Sequence, residues 1–177
     1  MEEYTCHLDS PLGGITLAGS QQGLSGLWFD GQKYFCAGLS DRSRPGELTV
    51  FQETIRWLRI YFGGKNPDFT PRLAMKTTPF RRSVWNIMLT IPYGQTMTYG
   101  RIAEIIAAQQ GISHMSAQAV GNAVAHNAIS IIIPCHRVVG NGSLTGYAGG
   151  LNRKTELLKL EQADLSAFFV PEKGTAL

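Results

Sequence analysis

The sequence of 177 residues is poor in charge and proline and has no long apolar run. Charged residues make up 16% of it and hydrophobic residues 44%, and it has 8 prolines, which excludes disordered, collagen-like and low-complexity chains. No apolar stretch approaches the roughly 18 residues that a membrane span needs. The N-terminal residues lack the basic and apolar regions of a secretory signal. We therefore expect a cytoplasmic protein that does not enter membranes.

Cysteine is also scarce. Cys6, Cys36 and Cys135 form no CxxC pair, and their odd number leaves at least one free thiol, so we expect no disulfide framework. The 16 Lys and Arg residues only slightly outnumber the 13 Asp and Glu residues. That balance permits a polyanionic partner such as DNA without requiring one.

The first third of the chain has the pattern of β-strands. Residues 4–8, 15–17 and 23–29 alternate or are apolar and are separated by turn-forming residues. From Leu48 onward the apolar residues fall at helical spacing, until Gly63-Gly64 ends the helix. The sequence predicts an α/β (α+β) fold whose N-terminal lobe, residues 1–70, is a small antiparallel sheet with one covering helix.

A second lobe, residues 76–165, follows the turn-rich stretch 65–78. Thr78, Thr98 and Ser116 each precede a segment that is predicted to be helical, and the third of these helices covers residues 117–125. Three short helices with tight joints are typical of a helix-turn-helix arrangement, here a winged one.

The third of these helices is nearly smooth. Alanine and glycine occupy every second position of 117–125, and the helix contains no Lys or Arg. A helix that reads bases in the major groove usually projects long polar side chains. Two interpretations remain open, which are tight packing on another helix and insertion into a narrow groove without sequence reading.

The segment 131–139 carries the chemistry. Three isoleucines predict a buried extended run, and Pro134 stiffens the backbone before Cys135. A nucleophilic thiol needs a base or a positive field, which His136 could provide. Neighbouring side chains on an extended chain point to opposite faces, so a bridging water is expected between them. The alternative is an inert buried cysteine beside a hydrogen-bonded histidine.

A glycine-rich loop and a helix follow. Four of the nine residues 142–150 are glycine, and the loop lacks the GK[ST] sequence of a phosphate loop, so we expect no nucleotide cofactor. The loop is either a pocket wall around a flat ligand or an ordinary surface loop. Glu161, near the end of the last helix, opposes the helix dipole, which indicates another role or a solvated side chain.

At these residues the chain resembles the methylated-DNA–protein-cysteine methyltransferase family, which repairs 6-O-alkylguanine in DNA. The resemblance is strong over residues 80–162 and weaker over 4–29. It rests on four short motifs, Ile133-Pro134-Cys135-His136-Arg137-Val138, Ile91-Pro92-Tyr93-Gly94 with Thr98-Tyr99-Gly100, Ala119-Val120-Gly121, and Gly146-Tyr147-Ala148-Gly149-Gly150-Leu151.

The resemblance implies a role for each matching residue. Cys135 would accept the alkyl group, His136 would deprotonate it through a water, and Glu161 would hold the imidazole. Tyr99 would help to rotate the damaged nucleotide out of the duplex and donate a hydrogen bond to guanine. Asn127 would brace the turn before the active-site segment. The remaining implied residues line the guanine pocket (Val138, Tyr147, Ala148 and Gly149) or face DNA from the third helix (Ser116, Gln118 and Ala119).

The expected activity is a stoichiometric, irreversible transfer from 6-O-methylguanine to the protein, with 4-O-methylthymine as an open second substrate. The expected partner is the minor groove of double-stranded DNA, bound by a monomer with no cofactor and no metal. Three alternatives stay open, which are a non-catalytic reader of alkylated DNA, a helix-turn-helix regulator and an unrelated cysteine hydrolase.

The chain departs from the family pattern at two positions. Gln118 stands where many members have an arginine that fills the gap left by the flipped base, so weaker or more salt-tolerant DNA binding is expected. Ala128 stands where a proline is common, so the turn there is expected to be looser. Some relatives bind zinc in the N-terminal lobe, but Cys6 and His7 belong to no four-ligand set, so we expect none.

Overall fold

The computed structural model describes residues 1–170, which divide into two compact units. The first unit comprises Met1–Lys76 and Ala128–Ile132, and the second comprises Thr77–Asn127 and the chain from Ile133 onward. Within residues 1–170 no helix is both long and apolar enough to cross a membrane.

The first unit contains a four-stranded sheet in the order β3-β2-β1-β4. Its strands are β1 (Tyr4–Leu8), β2 (Ile15–Ser20), β3 (Gly23–Phe29) and β4 (Arg44–Pro45). β1, β2 and β3 pair antiparallel, as predicted, whereas the two residues of β4 pair parallel to β1 and were not predicted.

One helix covers this sheet, as predicted. α1 (Thr49–Phe62) packs on β2 and β3 and ends at Gly63. Its buried side chains include Phe51, Leu58 and Tyr61 at the expected helical spacing, because only one face of the helix meets the sheet. Ile55, an apolar residue at the same helical spacing, is only half-buried.

The second unit contains the other four helices. Thr78 and Thr98 cap the first two of them through their side-chain oxygens, and Ser116 caps the next, as predicted. The helices are α2 (Pro79–Met88), α3 (Tyr99–Gln110), α4 (Ala117–Ala125) and α5 (Leu151–Leu160).

The smooth helix α4 packs on both α2 and α3. Gly121 and Ala123 are buried on its inner face, and Trp85 of α2 donates its indole N–H to the carbonyl of Ala123 at 2.9 Å. The small residues on this face therefore serve close helix packing. Gln118, in the first turn of the helix, is exposed.

The predicted extended run before Cys135 is wrong. Ile131 has a φ of 70°, and residues 130–133 form consecutive tight turns. The amides of Ile132 and Cys135 each donate to the carbonyl two residues earlier, at 2.8 Å in both cases, and these local bonds bend the chain. An apolar run is equally buried in a strand or in a turn, so composition alone did not distinguish them.

The segment 135–137 also differs from the prediction. Cys135–Arg137 form a single turn of 3₁₀-helix, so Cys135 and His136 do not lie on an extended chain with alternating faces. After this turn, β6 (Val138–Val139) pairs in parallel with β5 (Met97–Thr98). This two-stranded sheet, which was not predicted, fixes the backbone after the cysteine.

Candidate active site

Cys135 lies in the 3₁₀ turn with its thiol almost fully buried, at 4% exposure. The buried Asn127 reaches it from just beyond the end of α4. Its Nδ2 donates to the carbonyl of Ile133 at 2.7 Å and to Cys135 Sγ at 3.1 Å. One amide therefore holds both the turn before the cysteine and the sulfur itself.

His136 is completely buried and pairs with Glu161 at the C-terminal cap of α5. The distance between His136 Nε2 and Glu161 Oε1 is 2.6 Å. Because a carboxylate only accepts hydrogen bonds, this contact assigns the proton to Nε2 and makes Nδ1 the basic atom of the ring.

Glu161 is also held by Arg137. The guanidinium donates from Nε to Oε2 and from Nη2 to Oε1, both at 2.9 Å, and from Nη1 to the carbonyl of Ile91 at 2.7 Å. The amide of Gly94 donates to Oε2 at 3.0 Å. The carboxylate is thus oriented by the Arg137 guanidinium, the His136 imidazole and one backbone amide.

Gly94 occupies a position that only glycine fits. Its φ is 78°, and a Cβ there would lie 2.8 Å from the carbonyl oxygen of Glu161. The absence of a side chain lets the backbone of the motif approach the end of α5 closely enough to bind the carboxylate.

Burial sets the resting protonation states of Cys135 and His136. Burial raises the pKa of the Cys135 thiol, an effect that the Asn127 hydrogen bond, the Lys154 charge and the neighbouring amides oppose. Burial lowers the pKa of His136, with Arg137 and Lys154 adding to this effect and Glu161 opposing it. The pair is therefore a neutral thiol beside a neutral imidazole that can accept a proton.

Glu161 stays ionised. Burial alone would raise its pKa, but the hydrogen bonds and charges of His136 and Arg137 outweigh burial and hold the pKa far below its usual range. A permanently charged carboxylate can orient the imidazole and stabilise its protonated form without itself taking the proton.

The glycine-rich loop lies beside Tyr99, at the start of α3. The Tyr99 hydroxyl donates to the carbonyls of Thr145 at 3.1 Å and Gly146 at 3.4 Å. Burial raises the pKa of Tyr99, and a negative charge on Cys135 raises it further when the thiolate forms, so the hydroxyl keeps its proton and remains a donor.

The ring of Tyr147 packs against the backbone of Gly149, where a Cβ would come within 2.6 Å of ring atom Cε1. The Tyr147 hydroxyl is buried and has no hydrogen-bond partner among residues 1–170. Buried hydroxyls in proteins are normally bonded, so this oxygen is suited to a polar ligand. Val138 is buried in β6, and Ala148 is half-buried in the loop.

The remaining predicted site residues lie on a separate feature, the N-terminal turn of α4. Ser116 and Gln118 are exposed there and Ala119 is half-buried. In residues 1–170 no group of three or more His, Cys, Asp or Glu side chains is placed to hold a metal ion.

Two family models match the chain. Residues 79–163 match the DNA-binding domain of 6-O-methylguanine DNA methyltransferase, and residues 4–75 match its ribonuclease-like domain. The methylated-DNA–protein-cysteine methyltransferase of Mycobacterium bovis is 43% identical over 166 residues, which cover 91% of this chain and 96% of the relative. The chain belongs to the methylated-DNA–protein-cysteine methyltransferase family. The member from Methanosarcina acetivorans is 44% identical over 165 residues, or 89% of this chain and 97% of that one.

Solved structures of methyltransferases agree with the fold. The structure of Mycobacterium tuberculosis OGT in complex with DNA superposes with a TM-score of 0.77 at 40% identity, covering 93% of this chain and 94% of that one. A Mycobacterium tuberculosis O6-methylguanine methyltransferase gives 0.74 at 41% identity, with 97% and 96% covered.

Sequence reasoning gave no role to two buried cations of this methyltransferase, Arg137 and Lys154. Lys154 is fully buried on α5. Its spacing of three and four residues from Leu157 and Leu158 puts it on the apolar face of the helix, and a lysine on that face was the available signal. Arg137 follows the cysteine-histidine pair directly, and only the fold shows that it shares Glu161 with His136.

Proposed function

We propose that this chain repairs alkylated DNA by moving the alkyl group of a 6-O-alkylguanine onto Cys135 Sγ. Membership of the methyltransferase family supplies the reaction class. The observation that carries the proposal is the buried imidazole of His136, next in sequence to Cys135 and held by Glu161 at 2.6 Å. A base oriented by a carboxylate is the arrangement that activates a weak nucleophile.

Activation moves one proton. His136 Nδ1 takes the Cys135 proton through a water, and Glu161 stabilises the resulting imidazolium. The thiolate receives hydrogen bonds from Asn127 and from the amides of residues 135 and 136, which favour the charged sulfur. The proton moves from Cys135 to His136 within the site, so the net charge of the site does not change.

Transfer then exchanges two bonds. The bond between Sγ and the alkyl carbon forms as the bond between that carbon and guanine O6 breaks, and the electron pair leaves on the guanine. The Tyr99 hydroxyl and backbone amides of the pocket stabilise that charge. The proton that His136 took from Cys135 then passes through the water to the guanine anion and gives guanine. The product S-alkylcysteine is a thioether, which water does not cleave, so each molecule reacts once and needs no cofactor.

The substrate base must leave the duplex to reach Cys135. Flipping costs a few kcal/mol, less for a damaged pair. Val138, Tyr147, Ala148 and Gly149 line the pocket, and the buried Tyr147 hydroxyl is available to a purine. 4-O-methylthymine is a smaller candidate for the same pocket.

The exposed turn of α4, with Ser116, Gln118 and Ala119, enters the minor groove. Its short side chains support entry into a narrow groove, and the DNA complex of the Mycobacterium tuberculosis relative supports DNA as the partner. Residues 76–165 carry this chemistry and residues 1–70 form a separate lobe. The protein acts as a cytoplasmic monomer.

The test is incubation with a duplex that holds one 6-O-methylguanine, followed by peptide mass spectrometry. We expect one added methyl on the Cys135 peptide, one equivalent per protein, and none on peptides with Cys6 or Cys36. Cys135→Ser should bind the duplex and transfer nothing, because an alcohol ionises far less readily than a thiol.

Each alternative predicts a different result. Many turnovers per protein would indicate a hydrolase, and tight binding with no modification would indicate a reader of alkylated DNA. Preference for one undamaged sequence would indicate a regulator. Methyl transfer by Cys135→Ser would overturn the assignment of the acceptor.

A further inference from the structure

Lys154 is a charged residue in an apolar position. It lies one turn before Leu157 and Leu158 on α5 and is fully buried. An ammonium group taken out of water is costly unless every N–H finds an acceptor. The burial of Lys154 inside the second unit therefore requires hydrogen-bond acceptors for its ammonium group.

The ammonium uses its whole donor capacity on backbone carbonyls. Nζ donates to the carbonyl of Val138, to that of Thr145 at 3.0 Å and to that of Gly146 at 2.9 Å. Lysine has three N–H donors, and all three are used. Val138 follows the turn that presents Cys135, and the other two carbonyls belong to the glycine-rich loop. One cation thus ties together the two backbone segments that flank the acceptor sulfur.

Tyr99 shares two of these three acceptors, since its hydroxyl also donates to Thr145 and Gly146. A hydroxyl has one proton and serves one strong acceptor at a time. If Tyr99 donates to guanine during transfer, its hydrogen bond to the loop is given up at that moment. Lys154 has no such competing task.

We propose that Lys154 is a positioning residue for alkyl transfer. It keeps the loop 142–150 fastened to the backbone beside Cys135 while the Tyr99 hydroxyl exchanges its hydrogen bond to the loop for one to the substrate. The inference rests on the proposed function, because it needs Cys135 as acceptor and Tyr99 as a donor to the base. Its basis is the set of three carbonyls that Lys154 holds and the two that it shares with Tyr99.

The charges around Lys154 are consistent with this role. Burial lowers the pKa of Lys154 to about 8, and a negative charge on Cys135 opposes that shift. The same cation lowers the pKa of Cys135 and of His136, the two titratable groups that it influences. Lys154 is therefore charged at neutral pH, and formation of the thiolate strengthens its hold on the proton.

The test compares Lys154→Met with Lys159→Met, the same change at an exposed lysine on the same helix, which pairs with the exposed Glu156. Methyl transfer is followed under single-turnover conditions, with protein in excess over a duplex that holds one 6-O-methylguanine. The protein concentration is varied, which separates the limiting rate from the half-saturating concentration.

For Lys154→Met we expect the limiting rate to fall about 10- to 100-fold, as for a misplacement on the order of 1 Å. The half-saturating concentration should stay within about twofold, because phosphate contacts dominate DNA affinity. Lys159→Met should match the wild type in both. Ethylammonium added to Lys154→Ala should restore part of the limiting rate. An unchanged limiting rate in folded Lys154→Met, or a loss in affinity alone, would overturn the proposal.

A second measurement covers the case in which Lys154→Met does not fold. Hydrogen exchange is followed for the amides of 142–150 in Tyr99→Phe. These amides should remain nearly as protected as in the wild type, because Lys154 still holds the loop. Exchange at the rate of an unstructured segment would show that Tyr99 is the tether and would refute the role of Lys154. A wild-type protein that transfers no methyl would instead refute the proposed function.

Discussion

The contacts of Glu161 explain how a carboxylate can occupy the C-terminal end of a helix, where the helix dipole disfavours a negative charge. Its two oxygens accept hydrogen bonds from His136, Arg137 and the amide of Gly94. These donors outweigh the dipole and leave the carboxylate ionised in a buried position. The orientation of His136 therefore depends on a charge that is itself balanced by Arg137.

Replacement of Glu161 by glutamine should slow methyl transfer about 10²-fold or more, the usual contribution of a positioned base. The glutamine side-chain amide can donate as well as accept a hydrogen bond. His136 can therefore adopt the other tautomer, in which Nδ1 carries the proton. Affinity for DNA should be nearly unchanged. The measurement is the single-turnover rate with a 6-O-methylguanine duplex, together with a binding titration.

The control for this variant is Glu156→Gln, at an exposed glutamate on the same helix that pairs with Lys159. It should transfer at the wild-type rate. Glu161→Gln also leaves the buried Arg137 partly uncompensated, which costs on the order of 3 kcal/mol of stability, so the rate must be measured well below the melting temperature. An unchanged rate in Glu161→Gln would remove this residue from the mechanism.

Among the elements, α4 carries two different surfaces. Gly121 and Ala123 allow its inner face to approach α2 closely, and the indole of Trp85 bonds to the backbone there. The outer face exposes short, uncharged side chains. The interpretations of close packing and of a groove-binding surface therefore concern different residues of one helix and do not exclude each other.

Gln118→Arg should strengthen DNA binding and steepen its salt dependence. A new cation that neutralises one phosphate changes the slope of log K against log salt by about −0.9. The measurement is the affinity for an undamaged duplex at several salt concentrations. Gln52→Arg, at an exposed position of α1, adds the same charge and is expected to leave the slope nearly unchanged. Equal slopes for the two variants would place Gln118 away from DNA.

For the whole molecule, the buried site makes folding sensitive to acid. The pKa of His136 is lowered by burial, and that of Glu161 is lowered because the bonds to His136 and Arg137 outweigh its burial. Below pH 6.5 for the histidine and below 4.5 for the glutamate, the unfolded chain binds more protons than the folded one. Their stabilising effect is thus present at higher pH and is lost as pH falls.

We expect the free energy of unfolding, measured by urea denaturation, to fall as the pH is lowered from 7 to 3, first through His136 and below pH 4.5 through Glu161. Glu161→Gln should show a flatter profile below pH 4.5, whereas Glu156→Gln should follow the wild type. The exposed pair of His7 and Asp30 acts in the opposite direction, because the pKa of His7 is raised by Asp30, but such surface pairs contribute little. A flat wild-type profile would contradict the assigned protonation states.

Local sequence signals were sufficient for the regular elements. Caps at Thr78, Thr98 and Ser116 marked three helix starts, and Gly63 marked one end, because these interactions involve residues only a few positions apart. The same local reasoning failed for residues 131–137. There the hydrogen bonds that decide between strand and turn are not encoded in hydrophobic spacing.

The sequence by itself determined the family and the helices and strands with strong periodicity, and it supplied the candidate residues of the site, since each depends on residue type and short spacing. Only the tertiary structure decided that Arg137 shares Glu161 with His136, and that Lys154 binds three carbonyls beside Cys135. Those contacts join residues from different elements. These contacts form because buried charges need hydrogen-bond partners, and the partners come together only when the chain has folded.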